Sequence, residues 1–137
     1  MSGAPGVVLA IDVGTVRVGV AASDPHRILA SPVETVPAPG HQRVLELLTE
    51  REAVLVIVGL PTSLSGKAES ASADMARTWA DELRQLTDVQ VELVDERLTT
   101  VTAAANLRAS GRRGRQVRAV IDQAAAVALL QAVLDRP

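Results

Sequence analysis

The sequence predicts an α/β fold, a mixed five-stranded sheet flanked by helices, with residues 1–137 forming one domain. Short apolar runs without alternation, at residues 7–11 and 54–58, are typical of strands that are buried on both faces of a sheet. Longer segments with apolar residues at helical spacing lie between the later strands. The resulting element order, β-β-β-α-β-α-β-α-α, indicates three antiparallel strands followed by two parallel ones.

The first three strands are predicted to form an antiparallel meander. The run that starts at Val7 leads into Asp12 and a turn at residues 13–16, and a second strand is expected from Arg17 to Asp24. The third strand, from Leu29 to Val36, contains Pro32, which cannot donate to a ladder and therefore suits an edge strand.

The middle of the chain alternates helices and strands. Amphipathic patterns predict helices at residues 41–52 and at about 68–86, and strands are predicted at 54–58 and 89–94. Trp79 shares a helix face with Met75 and Leu83, so it is interpreted as a core residue. His26 and His41 have no second histidine or cysteine at ligand spacing, and both are interpreted as surface residues.

The last third is predicted to contain two helices around a polar segment. Thr99 or Thr100 can cap a helix that runs to about Ala109. The Gly/Arg-rich segment 111–118 is too polar to predict as ordered. The final helix, from about 119 to 134, is strongly apolar.

Composition excludes several classes of protein. There is no Phe or Tyr and only one Trp, so an aromatic platform for stacking single-stranded bases is absent. Without Cys, the chain can form neither a disulfide framework nor a thiolate metal site. No basic signal-peptide region and no membrane-length apolar run is found, which favours a soluble cytoplasmic protein without membrane contact.

Charge is distributed unevenly along the chain. Residues 97–121 contain six Arg and no acid, so this segment carries +6 while the remainder carries −8. Such asymmetry can mark a polyanion-binding edge on an acidic body, and a solvated flexible loop is the alternative. Four of these arginines are candidate phosphate contacts: Arg112, Arg113, Arg115 and Arg118.

Carboxylate residues lie at the predicted ends of strands, where α/β sheets form their ligand-binding sites. If the first, fourth and fifth strands are parallel neighbours, their ends at Asp12, Gly59 and Glu96 meet at one edge. Asp122, near the start of the last helix, can join them. Alternatively, Asp12 caps the turn by accepting from the amides of Gly14 and Thr15, and Asp122 stabilises its helix dipole.

Three converging carboxylates are what a two-metal phosphodiesterase requires. Hard cations such as Mg²⁺ or Mn²⁺ prefer oxygen ligands. Two such ions about 3.5–4 Å apart can activate a water and stabilise a leaving oxygen. The predicted metal ligands, and catalytic residues, are therefore Asp12, Glu96 and Asp122.

The strand pattern does not decide between Asp95 and Glu96. Adjacent residues on a strand face opposite ways, and Asp95 shares its parity with Val91 and Leu93, the more apolar face. Periodicity alone therefore mildly favours Asp95. The longer side chain of Glu96 can reach a metal from the end of a strand.

Four blocks of sequence resemble the bacterial YqgF/RuvX family. They occur in the family's order and cover nearly the whole chain: 11–21 (IDVGTVRVGVA), 56–61 (VIVGLP), 95–100 (DERLTT) and 121–126 (IDQAAA). Gln123 is a departure, since many relatives have an apolar residue there.

The resemblance implies a ribonuclease-H-like fold, related to Holliday-junction resolvases, and a nuclease that matures the 5′ end of pre-16S rRNA. It implies catalytic acids at Asp12, Glu96 and Asp122, and so favours Glu96 over Asp95, which is then a structural residue that pairs with Arg97 or caps the next helix. The first motif adds Gly14, Thr15 and Arg17 as candidate substrate contacts. The expected partner is RNA or branched DNA, and a homodimer is one possible assembly.

Three other functions are considered beside pre-rRNA processing. Resolution of Holliday junctions would use the same acids, and symmetric cutting would need two active sites. Actin-like sugar kinases share the Ile-Asp-Val-Gly-Thr sequence, but they need a second domain for which 137 residues leave no room. A non-catalytic RNA-binding module on the same fold is disfavoured because all three acids are present.

Overall fold

The computed structural model describes residues 4–61, 71–98 and 114–136, with the side chains of residues 98 and 114–122 outside the described set. Five strands are observed: β1 (Val7–Val13), β2 (Arg17–Ser23), β3 (Ala30–Pro37), β4 (Ala53–Leu60) and β5 (Gln90–Asp95). The helices are α1 (His41–Glu50), α2 (Ala71–Arg84) and α3 (Gly114–Leu134), and a 3₁₀ turn, Glu96–Leu98, follows β5. None of the helices in the described ranges is long and apolar enough to cross a bilayer.

The strands form one mixed sheet in the order β3-β2-β1-β4-β5. β1, β2 and β3 pair antiparallel, while β1–β4 and β4–β5 are parallel. The predicted meander and the two parallel additions are therefore confirmed. Pro32 lies on the edge strand, as predicted, beside an irregularity in the β2–β3 register.

Helices cover both faces of the sheet. On one face α1 and α2 bury Val44, Leu47, Trp79 and Leu83 against the strands. On the other, α3 packs Ala126, Leu129 and Leu130 over the central strands. Burial of a Leu side chain contributes about 1.5–3 kcal/mol, so both layers stabilise the position of the strand ends between them.

The predicted core position of Trp79 is confirmed, since the side chain is 3% exposed. The indole Nε1 donates to the Pro39 carbonyl oxygen at 2.6 Å. His26 is exposed as predicted, but the surface assignment of His41 is wrong. The His41 ring stacks on Trp79 with the ring centroids 4.5 Å apart, and its side chain is 11% exposed. Position 41 opens α1 directly beside α2, which buries an imidazole that the sequence leaves on a loop.

The polar segment 111–118 does not lack order throughout, and for residues 114–118 the prediction is wrong: α3 begins at Gly114. A 21-residue helix gains enough from its packed C-terminal half to extend its backbone through a polar first turn. Residues 111–113 and the helix predicted over 99–109 lie outside the described residues. The other boundaries differ from prediction by a few residues at each end, as is usual for frayed termini.

Candidate active site at the carboxyl edge of the sheet

The carboxyl ends of the three parallel strands meet at one edge of the sheet, as predicted. Asp12 lies on β1 opposite Gly19 of β2. On its other side the β1–β4 ladder ends at the pair Ile11 and Val58, one residue before Asp12 and Gly59. Asp12 is therefore flanked by a glycine on each neighbouring strand, so no side chain from those positions covers its carboxylate.

The pleat places Asp12 on the α3 face of the sheet. Ala10, two residues before Asp12, and Ile57, two before Gly59, both belong to the core cluster under α3. Val94 packs against the same cluster, and Glu96 has the same parity as Val94. The strand pattern that favours Asp95 thus selects the face opposite to Asp12, because Asp12 lies on the α3 side and not on the side of the larger core under α1 and α2.

Glu96 reaches Asp12 by lying across Gly59. A Cβ placed on Gly59 would be 2.5 Å from Glu96 Oε1 and 3.0 Å from its Cγ, closer than real Cβ contacts allow. Only glycine therefore leaves the Glu96 side chain this path. The two carboxyl groups lie in direct contact, within hydrogen-bonding reach of each other.

The pKa of Glu96 is raised above its ordinary value. Burial is the largest cause, because it disfavours the charged form, and the negative charge of Asp95 acts in the same direction. The hydrogen bond with Asp12 opposes both. Two acids held together in a half-buried position favour a bound proton or a cation.

The Asp95 side chain is paired with Arg97 and not with Asp12. Its carboxylate accepts from the Arg97 backbone amide at 2.8 Å and from Arg97 Nε and Nη2 at 2.8 and 2.6 Å. The predicted Asp95–Arg97 pair is thus confirmed. The pair neutralises Asp95 and stabilises the turn that carries Glu96, which leaves Glu96 as the acid that faces Asp12.

The alternative role for Asp12, as a cap on the following turn, fails at Gly14. The Gly14 amide donates to the Arg17 carbonyl oxygen at 2.9 Å and closes the β1–β2 turn. A Cβ on Gly14 would be 2.5 Å from that same oxygen, so the turn requires glycine. Thr15 is exposed at the tip of the turn, and Arg17 begins β2 next to it. These three candidate substrate contacts therefore border the acidic edge.

The remaining candidates lie in or before α3. Position 122 is in this helix, one turn before Ala126, which is fully buried on the sheet. The side chain of Asp122 is outside the described set, as are those of Arg115 and Arg118, and Arg112 and Arg113 lie outside the described residues altogether. Among the side chains that are described, no group of three potential metal ligands occurs.

The donor chemistry at this edge fits a hard divalent cation. Asp12 and Glu96 offer two carboxyl ligands in direct contact, and a cation bound between them would offset the cost of burying the charge of Glu96. Asp12 and Glu96 are thus the described residues that could hold Mg²⁺ or Mn²⁺.

A separate cavity of about 460 Å³ opens on the other side of the β1–β2 turn. It lies between that turn and α2, and its lining includes Thr15, Asp74, Met75 and Glu82. Neither Asp12 nor Glu96 lines it, so the acidic pair is not inside this cavity.

Comparison with known proteins identifies the family. The sequence profile described as "RuvX: Holliday junction resolvase" matches residues 6–136. The chain belongs to the RuvX family. A protein of Rhodococcus erythropolis is 52% identical in an alignment 136 residues long, and the alignment covers 93% of this chain and 76% of the relative. A Streptomyces coelicolor protein is 50% identical over 131 residues, with 93% and 78% covered. Both relatives carry the name "Putative pre-16S rRNA nuclease".

Solved structures show the fold of this RuvX chain. Thermus thermophilus RuvC in complex with a Holliday junction substrate superposes with a TM-score of 0.59 at 18% identity, covering 93% of this chain and 91% of RuvC. RuvC of the same organism, in a second structure, gives a TM-score of 0.56 at 19% identity. The fold is ribonuclease-H-like, as the sequence resemblance implies.

Several residues organise the site without doing chemistry, and the sequence pattern alone does not single them out. The pattern marks Gly59 only as a strand end, although a glycine that interrupts the Val56–Leu60 run is a signal of close approach. Gly19 and Thr35 carry no signal of their own. Gln123 stands out only as a departure from the family pattern, and the structure shows its partner: Nε2 donates to Thr35 Oγ1 at 2.9 Å.

Proposed function

We propose that this RuvX-family nuclease is a metal-dependent phosphodiesterase that processes the 5′ end of pre-16S rRNA, with residues 1–137 acting as one domain in the cytoplasm. The single observation that carries the proposal is the contact between the Asp12 and Glu96 carboxyl groups at the carboxyl edge of the sheet. Membership of a family whose relatives are named as pre-16S rRNA nucleases supports the choice of substrate.

In the proposed mechanism, Asp12, Glu96 and Asp122 would hold two Mg²⁺ or Mn²⁺ ions. When bound, the metals lower the pKa of a water and stabilise charge on the phosphodiester oxygens. Asp12 and Glu96 would hold the metal at the sheet edge, and Gly59 leaves the space in which the Glu96 side chain reaches Asp12. Arg17 and the exposed turn at Gly14 and Thr15 contact phosphates beside the acids, since guanidinium and backbone amide groups both suit phosphate oxygens.

Resolution of four-way DNA junctions is the second candidate. The family profile is described as a Holliday junction resolvase, and the RuvC structure that superposes on this chain contains a junction substrate. The same three acids would cut either substrate. Symmetric cutting of a junction requires two active sites, so this function predicts a homodimer.

The decisive experiment compares cleavage of three substrates under one set of conditions. RNA with the 5′ extension of 16S rRNA, duplex RNA and a four-way DNA junction are incubated with Mg²⁺, Mn²⁺ or EDTA. We expect cleavage of the RNA extension only with metal, and a reduction of about 10²-fold or more in Asp12→Asn, because the amide is isosteric but a poor metal ligand.

The matched control is Asp81→Asn, which removes an acid on α2 that is paired with Arg84 and mostly exposed. This variant should cleave like the wild type. A folded Asp12→Asn variant with full activity would overturn the proposed site. Preferential cleavage of the junction by a dimer would assign the second function instead.

A further inference from the structure

Two glutamines of α3 join this helix to the edge strand β3. Gln123 donates from Nε2 to Thr35 Oγ1 at 2.9 Å, and eight residues later Gln131 accepts from the Ala30 amide at 2.9 Å through Oε1. Gln131 also donates to the Ile28 carbonyl oxygen at 3.1 Å. Eight residues span about 12 Å of helix, so the two contacts fix α3 at two well-separated points.

The Gln123 contact lies at the level of the candidate site. Thr35 of β3 pairs with Gly19 of β2, and Gly19 in turn pairs with Asp12 of β1. Thr35, Gly19 and Asp12 therefore form one row across the sheet. Gln123 binds the outer end of this row, and the position next to it in sequence is 122.

The Gln123–Thr35 hydrogen bond limits the rotation of α3 on the sheet, which the apolar contacts alone do not fix. Ala126 and Leu129 hold α3 on the sheet, but contacts between small or flexible apolar side chains permit a helix to rotate or slide slightly at low cost. A hydrogen bond is directional and has a narrow range of distance. It therefore fixes the rotation of α3 at Gln123, one turn before Ala126, the first of the described α3 residues buried on the sheet.

We propose that Gln123 and Thr35 are a positioning pair that sets the rotation of α3, and thereby holds position 122 in register with Asp12 and Glu96 for metal binding. The proposal rests on the proposed function, because Asp122 has a role only if the acids bind a metal. Gln123 itself contacts neither metal nor substrate.

The test measures Mn²⁺ affinity by calorimetry on the free protein, without substrate, in Gln123→Leu, Thr35→Val and Thr35→Ser. We expect Gln123→Leu and Thr35→Val to weaken Mn²⁺ binding about tenfold. This is the lower end of the loss in metal affinity that follows when residues orienting the ligands are substituted. Thr35→Ser keeps the hydroxyl and should retain wild-type affinity. The double variant Gln123→Leu/Thr35→Val should be no weaker than either single variant, because both remove the same bond.

Gln131→Leu is the matched control, since it replaces another glutamine of α3 that also binds β3. It should lower Tm by leaving the Ala30 amide without its partner, yet leave Mn²⁺ affinity unchanged. Cleavage at saturating Mn²⁺ should largely recover in Gln123→Leu, which a general loss of folding would not allow.

Three outcomes overturn the inference. Wild-type Mn²⁺ affinity in a folded Gln123→Leu variant shows that the pair does not position the site. An equal loss of affinity in Gln131→Leu shows that the effect is only destabilisation of α3. If the wild type binds no Mn²⁺, the proposed function fails first and the positioning role fails with it, so the two failures are distinguished by the wild-type measurement.

Discussion

At the scale of single residues, the candidate site depends on which of two adjacent acids faces Asp12. Asp95 is held by Arg97 in three hydrogen bonds, whereas Glu96 crosses Gly59 to contact Asp12. The neighbouring carboxylates therefore differ in environment although they are one residue apart. The ion pair of Asp95 with Arg97 stabilises the fold. Burying the charge of Glu96 beside Asp12 costs stability, which is typical of residues that bind a ligand.

Glu96→Gln is expected to reduce cleavage by about 10²-fold or more while leaving nucleic-acid binding intact, because the amide removes a metal ligand and no phosphate contact. The comparison variant is Asp95→Asn, which should retain most activity and lose about 0.5–1 kcal/mol of stability with the Arg97 pair. Cleavage rates and unfolding by urea measure the two effects. An inactive, folded Asp95→Asn with an active Glu96→Gln would move the site by one residue.

Glu96→Gln should also stabilise the metal-free protein at neutral pH. The substitution removes a carboxylate whose charge is disfavoured by burial and by Asp95, so the free energy of unfolding in EDTA should rise. Urea unfolding in EDTA and in excess Mn²⁺ tests this. With metal present the order should reverse, since only the wild type gains from binding.

Gly59→Ala is expected to lower kcat by roughly 10–100-fold with little effect on stability. The new Cβ would collide with the end of the Glu96 side chain, which can move away, but a displacement of about 1 Å is enough to impair catalysis. The test repeats Gly59→Ala in a Glu96→Gln background. If the glycine acts through Glu96, it should have no further effect there, and an additive loss would show a different cause.

At the scale of elements, β3 is the part of the sheet that side chains anchor most visibly. Besides the two α3 glutamines, Arg43 of α1 donates to both carboxylate oxygens of Glu34, at 3.0 and 2.8 Å. Arg43 also contacts Glu46 and Glu50 on its own helix. An edge strand pairs on one side only, so these side-chain contacts compensate for the ladder it lacks. At the opposite edge, Arg84 donates to the Val91 carbonyl oxygen.

The Glu34–Arg43 pair predicts a pH dependence of stability. The Arg43 hydrogen bonds hold the pKa of Glu34 below its ordinary value of 4.5. A lowered folded-state pKa gives stability that is present above the ordinary pKa and is lost as the pH falls through the folded-state pKa. Glu34→Gln should therefore cost about 0.5–1 kcal/mol at neutral pH, because the pair is about one-third exposed, and nothing in strong acid, where the carboxyl group is protonated.

Urea unfolding of both proteins across this range gives the difference directly. Glu50→Gln is the control, since Glu50 makes one longer contact of 3.2 Å with the same Arg43 and should cost less. A difference between Glu34→Gln and wild type that does not change with pH would contradict the ion pair.

At the scale of the whole molecule, the exposed acids of α1 and α2 and the candidate site lie on opposite faces of the sheet. Exposed acids on α1 and α2 include Glu46, Asp74, Asp81 and Glu82, on the face away from Asp12 and Glu96. The arginine-rich segment leads into α3, which covers the face with the candidate site. We expect the positive charge of this arginine-rich segment to attract a polyanion.

Replacing Arg112, Arg113, Arg115 and Arg118 with Gln should weaken binding to all RNA sequences alike. These residues carry charge without aromatic neighbours, so they contact phosphates and do not read bases. The slope of log K against log salt should flatten by about 0.7–0.9 for each phosphate that is no longer neutralised. Arg77→Gln, on α2 and paired with Asp74, is the control and should leave the slope unchanged. An unchanged slope in the fourfold variant would make the segment a solvated surface only.

The sequence by itself determined the order of the elements, the mixed sheet and the family. Apolar runs, helical spacing and turn residues are local signals, and they locate Asp12 at the end of a buried strand without knowledge of its neighbours. The family resemblance added a structural role for Asp95, either pairing with Arg97 or capping the next helix, and the structure shows the pair. What is local in the chain could be inferred from the chain.

Only the tertiary structure showed which of the two acids contacts Asp12 and on which face of the sheet. The family resemblance favoured Glu96, but the physical reason is its path across Gly59, 37 positions away in sequence, on the face that α3 covers. The contact of Gln123 with Thr35 spans 88 positions. Such pairs depend on strand register and helix rotation, which are set by the packing of the whole molecule and leave no periodic signal in either segment alone.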